Sequence, residues 1–161
     1  MADLVFIARA SSDLGSSLIR SLLSSGRSLS VIAHFHTSEA RIKELEGEFG
    51  ERIYPVQADF SDAASIKAMI GEISKVGVPS QIVFLPALRL TYQRLTKFNM
   101  GRFKQDMAVQ VEAPVILLEH FAATMSTIAG ARIVFVLSSV VHDMPPKFAS
   151  MYTVVKYASW D

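Results

Sequence analysis

The sequence predicts an α/β fold with a mostly parallel sheet and right-handed crossovers, and two observations carry that prediction. Residues 4–8, 29–35, 53–58, 81–85 and 133–137 are short, largely apolar runs, as strands buried on both faces are. Between consecutive runs, apolar residues recur at helical spacing. Ligands of such sheets bind beyond the carboxyl ends of the strands, where strand order reverses. The residues just after each strand are therefore the ones to read for function.

Each element has its own signal. After the first strand, Ser11, Ser12, Asp13 and Gly15 form a turn, and Leu14, Leu18, Ile19, Leu22 and Leu23 make a helical stripe ending at Gly26. Ser38 reads as the N-cap of a polar helix over residues 39–49, closed by Gly50. Ser61 or Asp62 caps the next helix, whose stripe is Ile66, Met69, Ile70 and Ile73. A long helix over roughly residues 100–127 carries Met107, Val111, Val115, Leu118 and Phe121, and Pro114 marks a kink in it. The last strand ends on Ser138 and Ser139. A loop with Pro145 and Pro146 follows, then a final helix from about Ser150.

Composition narrows the class. A chain of 161 residues, half of them apolar and with no internal repeat or linker, reads as a single domain over 1–161. A net charge of +1 without a charge run leaves no nucleic-acid or membrane-surface footprint. The absence of cysteine excludes a disulfide scaffold and a thiolate metal site. No apolar run approaches the roughly 18 residues that span a bilayer. Met-Ala-Asp leads straight into a strand-like run, with no basic leader. The expectation is a soluble cytoplasmic protein.

The chemistry concentrates after the last strand. Tyr152 and Lys156 stand at i and i+4, so a helix puts phenol and ammonium on one face. A neighbouring ammonium favours the phenolate and lowers a phenol's pKa from about 10, as a general acid/base for a carbonyl–alcohol conversion requires. A serine hydroxyl at the strand tip can donate to the same carbonyl oxygen. The order strand, Ser-Ser, loop, Tyr-x-x-x-Lys, with Ser139 thirteen residues before Tyr152, resembles the short-chain dehydrogenase/reductase family over the whole chain. That resemblance implies a Rossmann-type doubly wound parallel sheet with helices on both faces, and catalytic roles for Ser139, Tyr152 and Lys156. The family's catalytic asparagine, which holds a proton-relay water, aligns with Gln110, whose amide sits on a longer arm.

The resemblance also implies a nicotinamide dinucleotide. Residues 8–15, Ala-Arg-Ala-Ser-Ser-Asp-Leu-Gly, stand where the family has its glycine-rich phosphate loop. Only Gly15 is kept; Arg9 and Asp13 occupy the first two glycine positions. Arg9, Ser11, Ser12, Leu14 and Gly15 would line the cofactor, with Arg9 adding positive charge and Asp13 opposing a phosphate. No acid follows the second strand before Glu39, and His36, Thr37 and Ser38 can donate to a phosphate, which favours NADP(H) over NAD(H). Otherwise His34 and His36 read as surface histidines, and neither they nor His120 and His142 have metal partners at useful spacing. Asp59, followed by Phe60, matches the family's adenine-binding aspartate. Leu85-Pro-Ala-Leu88 replaces the family's Asn-Asn-Ala-Gly, so Pro86 and Ala87 would border the cofactor without its polar contacts. These losses keep an alternative open, a non-catalytic relative serving in assembly.

A small-molecule carbonyl or alcohol is the implied substrate, and residues 35–41 are closest in style to β-ketoacyl-acyl carrier protein reductases. The family is usually longer, so Asp161 falls within the catalytic helix and the C-terminal strands and substrate lid are missing, as in a truncated product or a short relative. The resemblance also implies two-fold packing of the long helix. Met107, Val111, Val115, Leu118 and Ala122, with Val154, Val155 and Trp160, supply the apolar surface for a homodimer or homotetramer.

Overall fold

The computed structural model describes residues 3–85, 92–144 and 146–159. Strands β1 (Asp3–Ala8), β2 (Leu29–Phe35), β3 (Ile53–Gln57), β4 (Gln81–Phe84) and β5 (Arg132–Phe135) form one parallel sheet in the order β3-β2-β1-β4-β5. The helices are α1 (Asp13–Leu23), α2 (Glu39–Phe49), α3 (Ala63–Val76), α4 (Met100–Met107), α5 (Ala113–Met125) and α6 (Ser150–Ala158). Strand order reverses between β1 and β4, so a crevice opens beyond their carboxyl ends.

The two-residue period of a strand sorts the core into two layers. Phe6 and Ala8 of β1 face Ile66, Met69 and Ile73 of α3 and Leu117 and Phe121 of α5. Val5 and Ile7 face the other way, against Ile19 and Leu23 of α1 and Ile42 and Leu45 of α2. The expected doubly wound architecture is present. Asp62 caps α3 by accepting from the Ala64 N–H at 2.9 Å. Ser38 stands at the N-cap of α2 but makes no capping bond with its side chain. In α1, Leu14 is exposed at the helix mouth, and Ile19 and Leu23 carry the burial. Among the described residues, no helix is long and apolar enough to cross a membrane.

Two elements depart from the sequence reading. The fifth strand was expected over residues 133–137 as a buried strand; it spans Arg132–Phe135 and is largely exposed. Its position explains this, because among the described residues it lies at an edge of the sheet and pairs with β4 alone. The long helix is not continuous. Residues Ala108–Glu112 form a π-turn between α4 and α5. Pro114 lacks an N–H, so the Gln110 carbonyl four residues earlier loses its α-helical donor. The Ser159 hydroxyl lies 3.3 Å from that carbonyl and 2.9 Å from the Val155 carbonyl, and its one proton serves either of them. A π-turn holds one extra residue and rotates the helix face by about 100°. The buried stripe is consequently Val109, Ala113, Leu117, Phe121 and Met125. Of the expected stripe, only Phe121 is buried: Met107, Val111 and Leu118 are half-buried and Val115 is exposed.

Candidate active site

The loop after β1 is built without two of the glycines expected there. Arg9 has φ 57°, in the left-handed region that favours glycine, which shows why the backbone prefers one at that position. The Ser12 hydroxyl donates to the Arg9 carbonyl at 2.8 Å and accepts from the Gly15 N–H at 3.0 Å, capping α1. A Cβ at Gly15 would lie 2.5 Å from the Arg9 carbonyl oxygen, so this one glycine is required by close helix–strand approach. Asp13 is not left to oppose a phosphate alone. The Arg41 guanidinium from α2 pairs with its carboxylate and reaches the Ser11 carbonyl at 3.4 Å. Arg41 went unnoticed in the sequence; an acid at a phosphate-loop position was the signal to look for its counter-charge.

His34 corrects the sequence reading more sharply. It is 2% exposed, not a surface histidine. Its Nδ1 accepts the Arg9 N–H at 3.0 Å, so the proton is on Nε2, which donates to the Ala58 carbonyl at 3.1 Å. The ring stacks on Phe60 at 4.0 Å between centroids. One neutral imidazole thus ties together the ends of β1, β2 and β3. Burial lowers its pKa from 6.5 to about 4.

Above this tie lies a cavity of about 170 Å³, lined by Arg9, Ser11, His36, Thr37, Ser38, Asp59 and Phe60 among others. The structure therefore brings most of the expected cofactor residues together, with Ser12, Leu14 and Gly15 at the adjoining mouth of α1. His36 Nε2 lies 3.7 Å from Asp59 Oδ2. Asp59 Oδ1 accepts both the backbone N–H and the hydroxyl of Ser61, and these bonds hold its carboxyl below the usual range. Pro86 and Ala87 lie outside the described residues.

On the other side of the crevice, Ser138 and Ser139 follow β5. Ser138 turns its hydroxyl to the Val140 N–H at 3.5 Å, while Ser139 is exposed. The Lys156 ammonium lies 5.8 Å from the centre of the Tyr152 ring, so both side chains share one face of α6 as the spacing predicted. Lys156 is only 3% exposed. Burial and the nearby Arg9 cation lower its pKa from the ordinary value, and the Asp106 carboxylate opposes that shift. Gln110, in the π-turn, is buried and donates from Nε2 to Asp106 Oδ1 at 3.3 Å. Asp106 is a buried charge that the sequence reading passed over, since a single acid inside a helix carries no motif.

Comparisons place this geometry among known proteins. Residues 3–159 match the family model described as short chain dehydrogenase. No curated protein matches the chain in sequence. Among solved structures, serine dehydrogenase from Escherichia coli superposes with a TM-score of 0.82 at 19% identity, covering 96% of this chain and 70% of that one. A short-chain dehydrogenase/reductase from Saccharomyces cerevisiae gives 0.85 at 20% identity, with 98% and 61% covered. A blue fluorescent protein from a metagenomic library, in complex with NADPH, gives 0.80 at 21% identity, with 97% and 64% covered. The chain thus spans roughly two thirds of the length of such structures.

Proposed function

Because the chain belongs to the short-chain dehydrogenase/reductase family, we propose that it is an oxidoreductase that interconverts a small-molecule carbonyl and an alcohol and prefers NADP(H) to NAD(H). The observation that carries this is a cavity with donors from Arg9, His36, Thr37 and Ser38 beside the strand-order reversal, in a chain whose α6 also presents Tyr152 and Lys156 on one face. The residues fit a dinucleotide. Gly15 lets the start of α1 close onto the end of β1, and β2 is followed by His36, Thr37 and Ser38 without an acid, Ser38 making no capping bond with its side chain. Arg9, with Arg41 neutralising Asp13, restores a positive balance where the glycines are lost. When bound, the nicotinamide supplies hydride transfer. In this reading Tyr152 exchanges the proton with the substrate oxygen, Lys156 supports the phenolate and holds the ribose, Ser139 orients the carbonyl, and Gln110 anchors a relay water.

The same reading takes residues 1–161 as one dinucleotide-binding domain and places the protein in the cytoplasm, acting on small molecules as a homo-oligomer. Residues 35–41 favour a β-ketoacyl-type carbonyl substrate. A fluorescence titration with NADPH and NADH tests the core of it. Micromolar NADPH binding, at least tenfold tighter than NADH or about 1.4 kcal/mol, is the expected result. Absence of binding at millimolar cofactor would instead favour a non-catalytic relative used in assembly.

A further inference from the structure

One residue pins the turn out of β1. The His34 carbonyl accepts the Ala10 N–H at 2.8 Å, and its ring Nδ1 accepts the Arg9 N–H at 3.0 Å. Two successive amides of the loop thus end on the same histidine. The Arg9 carbonyl is fixed as well, by the Ser12 N–H at 3.0 Å and the Ser12 hydroxyl at 2.8 Å. Between these bonds Arg9 stands at φ 57°. A residue other than glycine keeps that conformation only where its surroundings over-determine it.

The ring suits this task because it is itself held. A backbone N–H only donates, so Nδ1 carries the lone pair and Nε2 the proton. The Ala58 carbonyl, just beyond β3, accepts that proton at 3.1 Å, and Phe60 stacks on the ring at 4.0 Å between centroids. His34 is 2% exposed, so bulk water does not compete for Nδ1. Arg9, so placed, is half-buried and lines the cavity with Ser11, His36, Thr37 and Ser38, all of which can donate to a phosphate. We infer that His34 is a positioning residue of the cofactor cavity: its Nδ1 lone pair holds Arg9 in the left-handed conformation, and that conformation sets the guanidinium among the donors that meet the additional phosphate of NADPH. A glycine would take this conformation unaided. This chain keeps a cation at the position and supplies a side-chain acceptor to hold it.

The inference rests on the NADP(H) reading, but one readout of its test needs no cofactor. Substitution separates the two ends of the ring. The asparagine carbonyl oxygen stands the same number of bonds from Cβ as Nδ1, and the glutamine NH2 the same number as Nε2. His34→Asn therefore keeps an acceptor for Arg9, whereas His34→Gln keeps only the donor to Ala58. In 15N NMR of the free protein, Arg9 amide hydrogen exchange should stay near the parent rate in His34→Asn and rise roughly tenfold or more in His34→Gln. In fluorescence titrations, NADPH affinity should fall roughly tenfold in His34→Gln and less than about threefold in His34→Asn, with NADH affinity changing less than about threefold in both. A ring that only fills space predicts the reverse order, since glutamine replaces more of its volume. An Arg9 amide still protected in His34→Gln, or equal NADPH losses in the two variants, overturns the inference. If His34→Gln fails to fold, His34→Asn decides alone: a protected amide with NADPH affinity near the parent's supports the role, and an exposed amide or a roughly tenfold loss rejects it. A parent that binds no NADPH while the Arg9 amide follows the expected order counts only against the functional reading. Bound NADPH with an Arg9 amide indifferent to both variants counts only against this inference.

Discussion

Tyr152 is half-buried while Lys156 is buried, which suits the proposed division of roles, with the phenol toward substrate and the ammonium behind it. On the proposed function, Tyr152→Phe removes the proton donor and no phosphate contact. It should lower kcat by roughly 10²–10⁴-fold while leaving NADPH affinity within about twofold. Retention of more than about a tenth of kcat would mean that the ring only packs. His34 gives a second prediction at this scale. Its folded pKa is about 4 against 6.5, so the unfolded chain takes up a proton first as pH falls. The stability from the neutral ring is complete above pH 6.5 and is lost on the way down toward pH 4. Between pH 7 and pH 5 the unfolding free energy should drop by about 2 kcal/mol, measured by urea denaturation. His34→Gln should abolish most of that slope; equal slopes in both proteins would refute the assignment.

The elements show which features sequence can reveal. The carboxyl end of β1 and the start of α1 approach so closely that Gly15→Ala must move backbone at Arg9 and Ala10. Alanine gains roughly 1 kcal/mol in helix propensity, but overpacking against rigid backbone costs about 1–3 kcal/mol or more. The variant should therefore be less stable, with a lower urea midpoint and weaker NADPH binding; a higher midpoint would show the loop to be compliant. Apolar runs and helical spacing revealed the five strands and the main helices, because those patterns are local. The burial of His34 was not readable. It depends on a carbonyl at Ala58 and an amide at Arg9, brought together only by sheet pairing. The π-turn escaped for a related reason. Pro114 announces a missing N–H, but the hydroxyl that comes within reach of the freed Gln110 carbonyl is 49 residues from Gln110, at Ser159. Asp106 and Arg41 became meaningful only when their partners were in place.

For the whole molecule, the phase shift at the π-turn leaves apolar side chains on the outer side of the α5 layer. Val115 is 59% exposed and Val154 of α6 is 53% exposed, with Met107, Val111 and Leu118 half-buried. Val155, in contrast, is fully buried and belongs to the inside. Residues of this kind on two helices suit an isologous interface, which uses one patch twice. Light scattering at micromolar concentration should give at least a dimeric mass, and Val115→Glu with Val154→Glu should return it to monomer. A monomeric parent would remove the interface. The edge strand carries a separate consequence, for handling more than for chemistry. Along β5 the backbone groups not bonded to β4 face outward, and Ile133 and Val134 are 43% and 42% exposed beside them. That rim is an adhesive template: any extended segment, from another copy or a foreign chain, can extend the sheet there. For residues 1–161 taken alone, a lysine at Val134 should raise solubility while leaving the crevice on the far side of β4 undisturbed.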